Sequence, residues 1–177
     1  MKWSLPAWTL VLAFGATLSA HAAPARSLEA PVKAAFLTKF GAFAEWPGGL
    51  LQAAPAMKLC IVGDDPFGVL LERTATGQAV DGKPITVVRL AEVHNSSGCQ
   101  ILYVSGSSRQ SVAQALAAVR GQPVLTVTDA ARDGARGMIH FVVFEDRVRF
   151  YVDLAEANRS GLSISSKLLS LALTVKR

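Results

Sequence analysis

Lys58-Leu59-Cys60-Ile61-Val62-Gly63-Asp64-Asp65-Pro66-Phe67-Gly68 is the stretch whose reading decides the fold. Its first half is a short apolar run closed by glycine. That length suits a buried strand better than a helix. Asp64-Asp65-Pro66 then reads as a helix start, with a side-chain cap and a proline at the first helical position. A short helix is expected over Phe67 to Thr76. One buried strand leading straight into one helix is the first step of a parallel, wound sheet.

Working outward, the same step recurs. Gly77, Asp81 and Gly82 mark turns, and Pro84 to Leu90 is a second strand. Asn95-Ser96-Ser97-Gly98 is a loop, and Cys99 to Ser105 is a third strand. Ser111 to Arg120 reads as a helix with Val112, Leu116 and Val119 on one face, closed by Gly121. Pro123 to Asp129 is a fourth strand. The pattern then changes. Met138 to Phe144 and Val148 to Leu154 are two β-rich runs around Glu145-Asp146-Arg147, a hairpin. Asp153 caps a short turn through Asn158, and Ser165 or Ser166 caps a last helix carrying Leu168, Leu171, Ala172 and Val175.

Towards the amino end, a helix is expected from Pro31, with Val32, Phe36, Phe40 and Phe43 as its inward stripe. Lys33, Lys39 and Glu45 fall outside that stripe, and Trp46-Pro47-Gly48-Gly49 ends the helix. The expected architecture is α/β: a mostly parallel sheet of about six strands, helices on both faces, and a C-terminal antiparallel hairpin.

Residues 1–22 read as an export signal. Lys2 gives a positive start, an apolar core follows from Trp8 to Leu18, and Ala20-His21-Ala22 fits the small-x-small rule. The cut is placed between Ala22 and Ala23. The apolar core is short for a spanning helix, which needs about 20 residues. Residues 23–30 are expected as a flexible lead and 31–177 as one domain, long enough to bury a core.

Of the 177 residues, 18 are Lys or Arg and 13 are Asp or Glu. The excess is spread along the chain. There is no basic run and no aromatic-plus-basic stripe, so nucleic acid is not an expected partner.

The two cysteines, Cys60 and Cys99, carry the most information. In an exported chain such a pair forms and keeps a disulfide. A doubly wound sheet of order 2-1-3-4-5 makes their strands neighbours.

Catalytic chemistry is hard to assemble. His94 and His140 have no cysteine or carboxylate at metal-ligand spacing, so no metal site is expected. No Gly-x-Ser-x-Gly elbow occurs. Gly63 to Gly68 lacks both Gly-x-Gly-x-x-Gly spacing and a Gly-Lys-Ser/Thr ending. Catalytic residues and cofactors are therefore expected to be none. A ligand or partner edge is placed instead at Asp64, Asp65, Ser105 and Asp129, which leave the carboxyl ends of parallel strands. Arg132, Arg136, Arg147, Arg149 and Arg159 form a second candidate, a positive face near the hairpin.

Taken together the motifs resemble the YfiR family. The opening Val32-Lys33-Ala34-Ala35-Phe36-Leu37 with Glu45-Trp46-Pro47 is similar to that family's first helix. The matching order continues through Cys60 to Gly68, Gly82-Lys83-Pro84, Cys99 to Ser105 and Pro123 to Asp129. It closes with Gly137-Met138-Ile139, Arg149-Phe150 and Gly161 to Leu169. The resemblance implies a periplasmic, non-catalytic protein of Gram-negative bacteria. It implies repression of an inner-membrane diguanylate cyclase by binding that enzyme's periplasmic sensor region, which lowers cyclic di-GMP. Further implied partners are an outer-membrane lipoprotein and a second copy of the chain. Some relatives carry another cysteine pair, but Gly134 to Asp153 holds none here. Thr38 stands where relatives often have a bulkier residue. The competing reading of the residues is a periplasmic small-ligand sensor built on the carboxyl-edge loops.

Overall fold

The computed structural model describes residues 26–129 and 134–177. The expected signal with its Ala22–Ala23 cut lies outside the described residues, as does Arg132. In chain order the elements begin with helix α1 (Arg26–Phe40), a 3-10 turn (Gly41–Phe43), strand β1 (Ala44–Glu45), a second 3-10 turn (Pro47–Gly49) and α2 (Leu50–Ala53). Then come β2 (Met57–Gly63), α3 (Val69–Ala75), β3 (Ala79–Val80), β4 (Lys83–Leu90), β5 (Ile101–Gly106), α4 (Val112–Ala118) and β6 (Leu125–Thr128). The chain closes with β7 (Ile139–Phe144), β8 (Arg147–Asp153), α5 (Leu154–Arg159), β9 (Ser163–Ile164), α6 (Ser166–Leu171) and β10 (Thr174–Lys176).

The main sheet has eight strands in the order β10-β8-β7-β6-β5-β2-β4-β3. Its central strands β4, β2, β5, β6 and β7 run parallel, and β10 runs parallel to β8. The β7–β8 hairpin is antiparallel, as is the short β3 against β4. The central order matches the expected winding. The sheet is the expected mostly parallel one with its antiparallel hairpin, and the two- and three-residue edge strands β3 and β10 bring its count to eight. Such lengths leave too few alternations to read. Val175, expected on the last helix, lies in β10; that helix stops at Leu171 and the chain turns extended at Ala172. A separate two-stranded pairing joins β1 to β9.

Alternation along β2 divides the interior. Leu59 and Ile61 face a large core with α1 and α3, whereas Cys60 and Val62 face a smaller one beneath α4. Helices therefore cover both faces. The large core centres on Phe36, Phe40, Phe141 and Phe150, with ring centroids 5.4–6.1 Å apart. Each fully buried phenylalanine contributes about 2–3 kcal/mol through removal of its surface from water.

Three local expectations change. Helix α1 starts at Arg26, so Pro31 lies inside it and residues 26–30 are helix rather than flexible lead. The ion pair between Glu29 and Lys33, one turn apart, favours extending the helix back past the proline. Its inward face is also turned: Val32 is 39% exposed, while Lys33 is 3% exposed and Ala34, Leu37 and Phe40 are fully buried. Finally, α3 begins at Val69 after Gly68, not at Pro66. The Asp65 carboxylate accepts from Phe67 N–H at 2.7 Å and closes a turn ahead of the helix instead of capping it.

Candidate functional site

The strand order reverses between β2 and β5, so the carboxyl ends of these two strands form the switch point. Gly63 and Gly106 cross there. A Cβ on Gly63 would lie 2.4 Å from Gly106 O, and Gly63 has φ +94°, so only glycine fits. Across the same point Asp64 N–H donates to Gly106 O at 3.2 Å. Ser105 Oγ donates to Val62 O at 3.3 Å and to Asp64 O. The two loops are stitched together by main-chain acceptors.

Asp65 stands beside them. Its carboxylate takes Arg89 Nε at 2.7 Å as well as Phe67 N–H. Arg89, near the end of β4, also bonds Glu72 and donates to Gly68 O at 2.8 Å. The hydrogen bond from Arg89 holds the Glu72 carboxyl below its ordinary value, and the Glu72 and Asp65 carboxylates raise Arg89. Arg89 thus fastens the start of α3 to the sheet.

Asp129, just past β6, accepts from Lys33 Nζ and from Tyr103 OH, the latter at 3.4 Å. Burial, with the Asp129 charge second, pushes the Tyr103 hydroxyl far above its usual value. Phe67 meets the Tyr103 ring edge-on at 4.9 Å. The fold places Asp64, Asp65, Ser105 and Asp129 on one edge, and each is engaged with the chain itself. Lys33 is the residue that the helical stripe missed. Its signal was the Glu29–Lys33 spacing of four, which marks a pair on one helix face.

A second polar cluster lies one strand further on. Thr126 and Thr128 alternate onto the same face of β6. Thr126 Oγ1 accepts from Met138 N–H at 3.0 Å and Thr128 Oγ1 from Gly137 N–H at 2.9 Å. Thr128 Oγ1 also lies 2.9 Å from His140 Nδ1. A Cβ on Gly137 would come within 2.8 Å of Thr126 O, so the chain enters β7 pressed against β6. Burial lowers the His140 pKa, helped by the Arg136 charge, which disfavours the charged ring. Thr128 Oγ1 thus holds both the Gly137 N–H and the His140 ring, the direction of the second bond following the imidazole tautomer. The His140 ring stacks on Tyr151 at 6.4 Å, and the Arg136 guanidinium sits 5.6 Å from the Tyr151 centroid. A cleft of about 550 Å³ opens here, lined by Arg136, His140, Tyr151, Asp153, Thr174 and Lys176 among others.

At the opposite, amino edge, Cys60 and Cys99 are joined by a disulfide with Cα atoms 5.9 Å apart. Cys99 precedes β5 rather than opening it, and Gln100 anchors this entry. Its N–H donates to Lys58 O at 3.0 Å, and its side-chain oxygen accepts from Lys58 N–H at 2.7 Å. Both cysteines are buried in the smaller core with Val62, Leu102 and Val112. Among the described residues, no three His, Cys, Asp or Glu side chains gather as a metal ion would require.

These features define a disulfide-clamped, doubly wound α/β protein with an antiparallel C-terminal extension. Among the described residues, no helix is long and apolar enough to cross a membrane. Residues 30–173 match the YfiR/HmsC-like family, and the chain belongs to it. A comparison with curated proteins finds no match.

Proposed function

We propose that the protein is a periplasmic regulator that binds the periplasmic sensor region of a membrane signalling enzyme, a diguanylate cyclase, and represses it. The observation that carries this reading is the YfiR/HmsC-like match over residues 30–173. The Cys60–Cys99 disulfide supports it, because such bonds persist in oxidising compartments. In this reading residues 1–22 direct export and are removed between Ala22 and Ala23, and residues 31–177 act as one domain. The protein acts by contact rather than by turnover.

Repression by contact requires differential binding. The regulator must hold one conformation of the sensor region more tightly than the other, since equal affinity shifts nothing. A shift from mostly active to mostly inactive enzyme needs a preference of about 10⁴-fold.

The test is a deletion strain. Loss of the gene raises cyclic di-GMP, and the tagged full chain co-purifies with an inner-membrane protein carrying a periplasmic sensor. An outer-membrane lipoprotein or a second copy of the chain would emerge from the same purification. Unchanged cyclic di-GMP with no membrane partner sinks the reading.

The second reading is a small-ligand sensor, favoured by the cleft of about 550 Å³ beside Arg136 and Tyr151. It predicts a ligand-dependent rise in melting temperature in a screen of periplasmic metabolites.

A further inference from the structure

The smaller core stops at β6. Its members lie on β2, β4, β5, α4 and adjoining loops, with Ala135 in the chain that leads into β7, and none lies on β7, β8 or β10 themselves. The large core, in contrast, continues on its own face through Phe141, Phe150 and Val152. The outward face of β7 and β8 is therefore left without a helical cover among the described residues.

Strand register shows what occupies it. His140 pairs with Tyr151, Val142 with Arg149 and Phe144 with Arg147, and alternation sends all six away from the large core. Arg147 is exposed, Arg149 and Tyr151 are half-buried, and Phe144 is 47% exposed. Arg136 reaches onto this face over the Tyr151 ring. Among the described residues, the ion pairs formed on it join Lys176 to Asp153, and none engages Arg136, Arg147 or Arg149. The carboxylates of Glu145 and Asp146 stand at the hairpin tip, beyond Arg147. Arg159 is set apart from the other arginines near the hairpin by its ion pair with Glu156, which raises its pKa.

We propose that the outward face of β7–β8, from Arg147 and Arg149 to Arg136 over Tyr151, is the surface on which an extended acidic segment of a protein partner docks. The inference rests on the regulatory reading and names the surface and chemistry that serve it. Arg147 and Arg149 are two residues apart on one strand, roughly 7 Å. Carboxylates at alternate positions of an extended partner chain repeat at the same spacing. A planar guanidinium donates two parallel hydrogen bonds to a carboxylate, which a lysine does not. Phe144, Val142 and Tyr151 interleave the arginines with apolar area, and Tyr and Arg are the residue types that concentrate binding energy in protein interfaces. The face ends in the cleft beneath Arg136. A protruding side chain enters a cleft, and a flat bilayer surface does not, which favours protein over membrane.

The experiment uses the full chain expressed in the deletion strain. A photo-reactive amino acid replaces Val142 on this face or, as control, Val69 on α3. Cross-linked adducts are identified by mass spectrometry. Three backgrounds are compared: the native arginines, Arg147→Glu with Arg149→Glu, and Arg147→Lys with Arg149→Lys. The expected result is a protein adduct from position 142 whose linked peptide is rich in Asp and Glu. The Glu pair reduces its yield at least tenfold, the Lys pair by less, and position 69 does not form it. No adduct at 142, a lipid adduct, a linked peptide without acidic excess, or a yield indifferent to charge reversal would each overturn the proposal. The adduct from the native arginines needs no folded variant. Loss of the Glu-pair adduct counts only if that protein keeps its disulfide and melting temperature. If deletion leaves cyclic di-GMP unchanged while the acidic adduct forms, the cyclase reading fails and the surface stands. If cyclic di-GMP rises and the Glu pair restores repression fully, the surface fails and the regulator stands.

Discussion

Lys33 on α1 is ion-paired with Asp129, 96 positions away at the end of β6. The Lys33 side chain is 4% exposed, against 24% for Asp129 and 34% for Glu29, its other partner. The three charges are therefore unequal. The cation has left water almost completely, and the two carboxylates have not.

That asymmetry predicts an order of costs. Lys33→Met keeps most of the buried stem and leaves two carboxylates that water still reaches, so it costs about 1 kcal/mol. Glu29→Gln combined with Asp129→Asn strands an ammonium in the interior and costs about 3 kcal/mol or more. Urea unfolding of both variants decides it. Equal losses would show that the pairing is of no consequence and only packing counts.

Acid sensitivity should begin with His140. Its folded pKa lies below the ordinary 6.5, chiefly through burial. As pH falls through about 6.5, the unfolded chain binds a proton that the folded chain refuses, so stability declines with acid from there. Replacing His140 by phenylalanine removes this slope. The wild-type advantage over His140→Phe, measured by denaturant midpoint, should shrink between pH 7.5 and pH 5.5. A difference that stays constant across that range rules the histidine out.

The disulfide spans a sequence separation of 39 residues. Closing a loop of this size restricts the unfolded chain by about 4 kcal/mol. Cys60→Ser with Cys99→Ser, or reduction of the wild type, should lower the urea midpoint accordingly. A midpoint indifferent to reductant would show that the bond contributes nothing to stability.

Gly63 and Gly77 both have positive φ, at +94° and +73°, but only Gly63 is crowded, by the Gly106 backbone. Gly77→Ala should cost about 1 kcal/mol from backbone strain alone. Gly63→Ala adds a collision with main chain that has nowhere to move, for about 3 kcal/mol or more. Thermal melts of the pair separate the two effects, and similar melting temperatures would mean that the β2–β5 crossing relaxes.

What could be read from the chain was what repeats. Apolar runs such as Leu59 to Val62 and Ile101 to Val104 announce buried parallel strands. Ser111 opens the expected helix, and with Gln114 it forms a full capping box. The order of the central strands is the 2-1-3-4-5 of the doubly wound class that this alternation indicates. What escaped reading depends on partners far off in sequence. Lys33 looks like an ordinary surface lysine until β6 brings Asp129 over it. Pro31 reads as a helix start because the residues before it carry no apolar period. β3 and β10 exist because β4 and β8 offer them free edges. In the sequence the arginine face is five scattered residues. Alternation along β8 puts Arg147 and Arg149 together, and only the packing on Tyr151 adds Arg136.

The bond between Cys60 and Cys99 has one more consequence. Everything between them, including α3, β3 and β4, is a covalent ring sewn into the sheet. A protease that cuts once inside this ring, at the exposed turn around Gly77 or the loop through Asn95, releases nothing. Both new ends stay attached, and the two pieces travel as a single molecule until a reductant parts them. A nicked chain would run as intact protein on a non-reducing gel and as two fragments on a reducing one.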